Sequence, residues 1–435
     1  MLDIRLLREE ADRVRRALAL RNTEAPLDEA IEADAERREL LTEVEGLRAE
    51  KNTISKEIGE LSRAMKGADT KEAKHAEHRR SDLMSRSSFI GDKLNSLEER
   101  LGALSEKLQA AMMAIPNIPD DSVPEGLDET GNVIVRRSGE PEPLAFEARP
   151  HWELGESLGI IDFERGVKLA GSRFYVLRGA GARLERALIT WMLDFHTERG
   201  YTEVYPPAMI KEENLWAGGW LPKFGENMFH DAEEDYWWIP TAEVALTTMH
   251  KDEILEPGTL SIDYVAYTPC FRREKFSAGR DVRGIKRGFQ FDKVELYRFV
   301  EPAESAEALE AMTAQAADVA KELDLTYRVR ELCTGDLGFN AAKTYDIEVW
   351  APGSDEWLEV SSVSNCTDFQ ARRANIRYRT EKGAKPEHPH TLNGSGLAIP
   401  RTLIAVLENY QQADGSVVVP EVLRPYMGGL ERITA

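Results

Sequence analysis

Two runs of apolar residues at alternating spacings of three and four constrain this chain more than any other feature. The first runs from Leu40 through Val44, Leu47, Ile54, Ile58, Leu61 and Met65, with Lys51 in its one polar slot. The second runs through Leu83, Ile90, Leu94, Leu97, Leu101, Leu104 and Leu108, with Ser87 as its exception. Such a seam, sustained over several heptads, keeps facing a partner helix and predicts a coiled coil. The break at Gly67-Ala68-Asp69-Thr70 predicts a turn, so the two helices fold back on each other. At about 36 residues and about 1.5 Å per residue, each spans roughly 54 Å, which makes the hairpin a long arm. On its pattern alone the arm suits a dimerisation device or a spacer as well as a ligand-binding limb.

The net charge of −21 argues against a polyanionic partner, because affinity for phosphate is carried by Lys and Arg. Distribution changes that argument. Residues 31–112 hold 15 Lys+Arg against 17 Asp+Glu, so they stand at −2 and the rest of the chain at −19. Lys56, Arg63, Lys66, Lys71, Lys74, Arg79 and Arg80 cluster near the centre of that segment, and a polyanion would meet the chain there. The three cysteines, Cys270, Cys333 and Cys366, lack a paired metal-ligand spacing; no zinc is expected, and they suit reduced thiols in a cytoplasmic protein. No signal-like segment opens the chain and no run of eighteen apolar residues occurs, so no membrane association is expected.

Residues 113–150 contain six prolines with Gly126, Gly131 and Gly139, the composition of an irregular linker. They separate an N-terminal arm, 1–112, from a body that completes 113–435. Within the body, Leu184, Leu188, Trp191, Met192 and Phe195 form one apolar helical face ending before Gly200, and Ser305 to Leu323 is Ala-rich and helical. Strands are expected at Tyr327 to Leu332, Thr344 to Trp350 and Trp357 to Ser362. Hairpin-linked strands point to an α+β body: an antiparallel sheet with flanking helices. No Gly-x-Gly-x-x-Gly stands in a strand-turn-helix context and no Walker loop is present, and the strand pattern disfavours a Rossmann fold.

The chemistry-bearing residues begin at Phe289-Gln290-Phe291-Asp292-Lys293-Val294-Glu295. In a strand, Phe291 and Glu295 share a face about 13 Å apart at about 3.3 Å per residue, near the length of an aminoacyl adenylate. Packing plus a solvated charge is the ordinary account of such a pair. Upstream, Pro269-Cys270-Phe271-Arg272-Arg273-Glu274 is a second expected strand with Arg272 and Glu274 on one face. Between the two runs a loop from Lys275 to Lys286 carries Gly279, Arg280, Asp281, Arg283 and Gly284. The planar fork of an Arg suits a phosphate, although a cross-strand ion-pair ladder would use the same residues.

Phe-Arg-x-Glu, a Gly/Arg loop, then Arg287 to Phe291 resembles motif 2 of class II aminoacyl-tRNA synthetases. The loop wording from Ser277 to Gly284 is similar to that of seryl-tRNA synthetases. Thr241-Ala242-Glu243 resembles that family's serine-binding triplet, Glu359-Val360-Ser361-Ser362 its ATP and magnesium strand, and Thr391 to Ala398 with Arg401 its motif 3. Gly200-Tyr201 with Pro206-Pro207 looks like motif 1, the dimer element. The chain departs from the family at Phe289, where His is common, and at Lys275-Phe276, where small residues are common. Phe289 bears on the adenine end and the seat of the tRNA acceptor end, and removes no phosphate or serine ligand.

The resemblance implies a serine–tRNA ligase that uses ATP with Mg²⁺, forms seryl-adenylate and charges tRNA(Ser), and tRNA(Sec) as well. It implies a homodimer in which the arm of one subunit serves the active site of the other. Arg272 would take the α-phosphate, Arg287 and Arg401 the β- and γ-phosphates, and Glu359 with Ser362 the Mg²⁺. Glu274 would accept from the adenine amino group and Phe291 stack on adenine opposite Arg401, with Arg273, Val360 and Ser361 completing the ATP set. Serine would meet Thr241, Ala242, Glu243, Glu295 and Ser395. The basic residues near the tip of the arm would grip the long variable arm of the tRNA. Two other readings remain: a paralogue that loads serine or a relative onto a carrier protein or small molecule, and a non-catalytic coiled-coil protein on a degenerate synthetase core. The full-length hairpin speaks against the first, and the joint presence of Arg272, Glu274, Glu295, Glu359 and Arg401 against the second.

Overall fold

The computed structural model describes residues 1–65, 70–275 and 283–435, and the chain divides into two compact units. One comprises residues 4–15 and 25–115, the other residues 1–3, 16–24 and 116–435. The first unit is the helical hairpin: α1 (Leu27–Ala64) and α2 (Thr70–Ala114), 38 and 45 residues long. Leu40, Val44 and Ile54 pack against Ile90, Leu94 and Leu97, with Leu47, Ile58, Leu83, Leu101 and Leu104 alongside, so the two heptad runs are one seam. The polar slot is accommodated by shape. Lys51 carries its ammonium over Gly91, where a Cβ would come within 3.1 Å of Nζ. Interhelical ion pairs flank the seam, Arg48–Glu98 at 2.8 Å, Lys93–Glu43 at 2.6 Å and Arg100–Glu36 at 3.1 Å. They are solvent-exposed and contribute at most about 1 kcal/mol each, so they set register while the seam supplies the stability. The expected turn at residues 67–69, together with Lys66, lies outside the described residues.

The second unit is built on an eight-stranded sheet. Its strands are β1 (Val133–Arg137), β2 (Thr202–Glu203), β3 (Ile262–Phe271), β4 (Gln290–Val300), β5 (Tyr327–Glu331), β6 (Lys343–Ala351), β7 (Glu356–Thr367) and β8 (His390–Ala398). In space they run β1-β5-β6-β7-β8-β4-β3-β2. Every pairing is antiparallel except β2 with β3. Two short helices, α3 (His151–Ser157) and α5 (Ala242–Thr248), stand near the site. Three long ones, α4 (Ala180–Thr197), α6 (Ser305–Glu322) and α7 (Ile399–Asn409), cover one face of the sheet. Leu184, Leu188 and Met192 of α4, Leu309 and Met312 of α6 and Leu403 and Leu407 of α7 form one core with Val265, Val294, Leu296, Ile347, Val349 and Leu397 of the sheet. A fully buried side chain of this size contributes about 1.5–3 kcal/mol, which anchors the strands from behind and leaves their other face to carry polar groups.

Two local expectations change. Strand β3 ends at Phe271, paired with Gln290, and Glu274 has a φ of 49°, so Arg272 to Glu274 follow the strand instead of continuing it. Within the proline-rich stretch, Val133–Arg137 forms β1 at the edge of the sheet. Asn117 donates to the carbonyls of Asn340 and Cys366, both at 2.9 Å, and so fastens this stretch to the body.

Candidate active site

The uncovered face of the sheet holds a cavity of about 300 Å³, lined by β4, β7 and β8, by the residues after β3 and by the start of α7. Phe291, Lys293 and Glu295 of β4 all line it, as period-two geometry requires of alternate residues. Thr241, Glu243, Arg272, Glu274, Arg287, Glu359, Val360, Ser362, Ser395 and Arg401 line the same cavity. Segments separated by up to 160 positions in sequence thus converge on one space.

Two β-bulges make this convergence possible. Glu359 and Ser362 stand three apart, and a regular strand would point them to opposite faces. The pairing of β6 with β7 shifts between Ile347, opposite Ser361, and Glu348, opposite Glu359, leaving Val360 as the extra residue. One inserted residue reverses the alternation, so both side chains reach the cavity. Strand β8 does the same: Ser395 pairs Glu295 and Leu397 pairs Val294, with Gly396 extra, so Ser395 and Ala398 share the cavity face.

Thr241, Ala242 and Glu243 form the start of α5. Thr241 is its N-cap and accepts the Glu243 amide N–H at 3.2 Å. The Thr241 hydroxyl also takes a hydrogen bond from Lys293 Nζ at 2.7 Å, and the same ammonium pairs with the Glu295 carboxylate. Glu243 is buried and accepts from Gln370 Nε2 at 2.6 Å. Burial, and then the nearby Glu295 carboxylate, push the Glu243 carboxyl up to about 7, against the opposing pull of Lys293. Two carboxylates and one ammonium on a small buried floor suit a small amino acid carrying both an ammonium and a hydroxyl.

At the other end, the Arg272 guanidinium lies over the Phe291 ring at 5.1 Å and its Nε donates to the Pro240 carbonyl at 3.2 Å. Arg287 faces Glu274 at 3.4 Å. Arg401, in the first turn of α7, donates to the Glu359 carbonyl at 2.6 Å and pairs with its carboxylate at 3.4 Å. It is therefore Arg272 that lies over Phe291 here, with Arg401 engaged by Glu359. Asp346 lies across from Ser362 in the β6–β7 pairing, and its buried Oδ1 has no hydrogen-bond partner. Burial and the Glu359 carboxylate hold the Asp346 carboxyl well above the usual carboxylate range. The Glu359 carboxylate, the Ser362 hydroxyl and the Asp346 carboxyl with its orphaned buried oxygen are the hard-oxygen donor set that suits a divalent cation such as Mg²⁺.

Three expected site residues do not line the cavity. Arg273 lies over the Phe229 ring at 5.2 Å, Ser361 donates to the Ser395 carbonyl at 2.7 Å, and Ala242 is buried in α5. Phe289 packs edge-on against Phe174 and Phe229, beside the cavity. On the hairpin, Lys56, Arg63, Lys71, Lys74 and Arg79 are exposed and Arg80 is half-buried; Arg79 pairs across the hairpin with Glu57. Lys66, and Phe276 to Val282 of the loop, lie outside the described residues. Sequence reasoning missed Lys293, although the period that selects Phe291 and Glu295 selects it too. It also passed over Asp346, whose place opposite Ser362 follows only from the strand register.

Comparison with known proteins agrees with this geometry. A family model for the seryl-tRNA synthetase N-terminal domain matches residues 1–119, and one for the class II tRNA synthetase core domain (G, H, P, S and T) matches residues 226–410. A serine–tRNA ligase of Roseiflexus sp. is 58% identical over 100% of this chain and 99% of its own length. One from Chloroflexus aurantiacus is 57% identical over 100% of both. Among solved structures, seryl-tRNA synthetase from Pyrococcus horikoshii complexed with ATP superposes with a TM-score of 0.90 at 38% identity, covering 100% of this chain and 99% of that one. With both units, the sheet topology and the converging cavity accounted for along its whole length, the chain belongs to the seryl-tRNA synthetase family of class II aminoacyl-tRNA synthetases.

Proposed function

We propose that the chain activates L-serine with ATP and transfers the seryl group to tRNA(Ser), with the cavity residues in distinct roles. The observation that carries this is the convergence on one face of Thr241, Glu243, Glu295 and Ser395 with Arg272, Arg287, Phe291 and Arg401. In the first step a serine carboxylate oxygen attacks the α-phosphorus, the new P–O bond forms and pyrophosphate leaves. The carboxylate is already ionised at neutral pH, so this step needs positioning and charge neutralisation instead of a general base. Arg272 neutralises the α-phosphate, Arg287 and Arg401 the outer phosphates, and Phe291 stacks on adenine while Glu274 accepts from its amino group. Glu359 and Ser362, with Asp346 beside them, would hold Mg²⁺, which when bound neutralises charge on the ATP phosphates. Glu243, Glu295, Thr241 and Ser395 share the serine ammonium and hydroxyl. A buried site that hydrogen-bonds a hydroxyl rejects alanine because its own groups would be left unpaired.

In the second step a terminal ribose hydroxyl of the tRNA attacks the mixed anhydride and releases AMP. Exposed Lys56, Arg63, Lys71 and Lys74 on the hairpin supply phosphate contacts to the tRNA. A homodimer is what membership of this family suggests, and in it a partner subunit would cover Tyr205, beside Pro206-Pro207 and 87% exposed. Among the described residues no helix is long and apolar enough to cross a membrane, and we assign the protein to the cytoplasm, where tRNA and ATP meet. The test is ATP–pyrophosphate exchange across the amino acids, followed by charging of tRNA(Ser) and tRNA(Sec) by the whole protein and by a version lacking residues 31–112. Exchange with serine in both, and charging only by the whole protein, is expected. Exchange with another amino acid and none with serine would remove the specificity.

A further inference from the structure

Glu408 sits in α7, two helical turns beyond Arg401, and is fully buried. Four donors converge on it. Its Oε1 accepts from the His151 amide N–H at 2.9 Å, from His151 Nδ1 at 2.9 Å and from the Ser354 hydroxyl at 2.7 Å, and its Oε2 accepts the Ser354 amide N–H at 2.8 Å. His151, the first residue of α3, is only 2% exposed, and its Nε2 accepts the amide N–H of Ile285 at 3.2 Å. These contacts fix the tautomer. A carboxylate can only accept, so Nδ1 carries the proton; an amide N–H can only donate, so Nε2 is bare.

Ile285 lies two residues before Arg287, on the limb that brings the chain back from the loop into β4. Two neighbouring residues, Arg283 and Gly284, face the same helix. Arg283 lies over the ring of Trp152 at 4.7 Å. Gly284 has a φ of 74°, and a Cβ built there would clash with the His151 ring, so only a residue without a side chain lets the limb approach the imidazole. Lys286 is tied to Glu356, at the start of β7, at 2.6 Å. One histidine thus connects the helix that carries Arg401 to the limb that carries Arg287, both of which line the cavity.

We propose that His151, oriented by Glu408, is a positioning residue for ATP: it clamps residues 283–287 so that Arg287 meets the outer phosphates at the height set by Arg401. The proposal rests on the ATP-activating function above, and it separates nucleotide binding from serine binding, because His151 and Glu408 hydrogen-bond to each other, Ser354 and Ile285, and to none of Thr241, Glu243, Glu295 and Ser395.

The experiment compares His151→Asn with His151→Gln. Asn places its polar group where Nδ1 sits and reaches Glu408 only; Gln reaches the position of Nε2 and can still accept from Ile285. Equilibrium titration with ATP, hydrogen exchange at the Ile285 amide and the serine KM in pyrophosphate exchange are measured for both. Asn is expected to weaken ATP about fivefold, the effect of one buried hydrogen bond, and to speed Ile285 exchange, with serine KM unchanged; Gln is expected to restore both to within about twofold. Equal weakening by Asn and Gln, or a serine KM that rises in step with the ATP constant, would overturn the clamp. If either variant fails to fold, Gly284→Ala acts from the loop side. The same two losses are expected of it, and wild-type ATP affinity and Ile285 protection would overturn the proposal. ATP binding and amide exchange need no turnover. A wild-type protein without serine-dependent exchange would therefore defeat the proposed function, while the Ile285 measurement would still decide the clamp.

Discussion

Replacing Glu243 by Gln is expected to stabilise the body of the protein above neutral pH and to leave its stability unchanged in mild acid. The Glu243 carboxyl is 7% exposed, and burial with the Glu295 carboxylate raises it from 4.5 to about 7. A folded-state pKa above the unfolded one means that the native protein binds this proton more tightly. The associated stability is whole below about pH 4.5, declines as pH rises and is gone above about pH 7. At about 1.4 kcal/mol per pH unit, a rise from 4.5 to about 7 puts the cost of the ionised form at up to about 3.5 kcal/mol at pH 8. Gln removes that cost and keeps an oxygen for the 2.6 Å hydrogen bond from Gln370. Urea unfolding of Glu243→Gln and wild type at several pH values between about 5 and 8 measures the difference. The variant's advantage should grow across that range to roughly 2–3 kcal/mol, while its serine-dependent exchange falls. An advantage independent of pH, or a variant less stable than wild type at pH 8, would refute the reasoning.

Three further outcomes are expected. Arg272→Ala should lower the rate of serine-dependent pyrophosphate exchange about 10²–10³-fold without lowering the thermal midpoint, and a loss below about tenfold would remove it from the α-phosphate. Leu94→Ala, at a seam position 6% exposed, should cost the hairpin about 2–4 kcal/mol in a circular-dichroism melt and reduce tRNA charging, with exchange unchanged because the cavity lies in the other unit. Asp346→Asn should weaken Mn²⁺, followed by its electron paramagnetic resonance signal with ATP present, about tenfold; unchanged affinity would show that Asp346 takes no part in holding the cation.

Where one periodicity is sustained over many residues, the sequence is a sufficient guide to this molecule. The seam from Leu40 to Leu104 is such a case, and so is the alternation Phe291, Lys293, Glu295, because a helix or a strand converts spacing directly into facing. The guide fails where the backbone changes phase. Glu359 and Ser362 would point apart if β7 were regular, and only the extra residue Val360 unites them, so motif likeness found what periodicity would have rejected. Likewise Arg272 and Glu274 share the cavity although β3 ends before both. It fails again where partners are distant: His151 and Glu408 are 257 residues apart, and neither carries a local signal of the other. Such contacts share a physical origin. Each satisfies a polar group that folding would otherwise bury alone, at a cost of about 1–3 kcal/mol, and the partner is chosen by whichever element happens to pack there. The residues that line the cavity are therefore legible from strand period and motif, whereas those that hold it in shape follow only from the packing of the sheet, its bulges and α7.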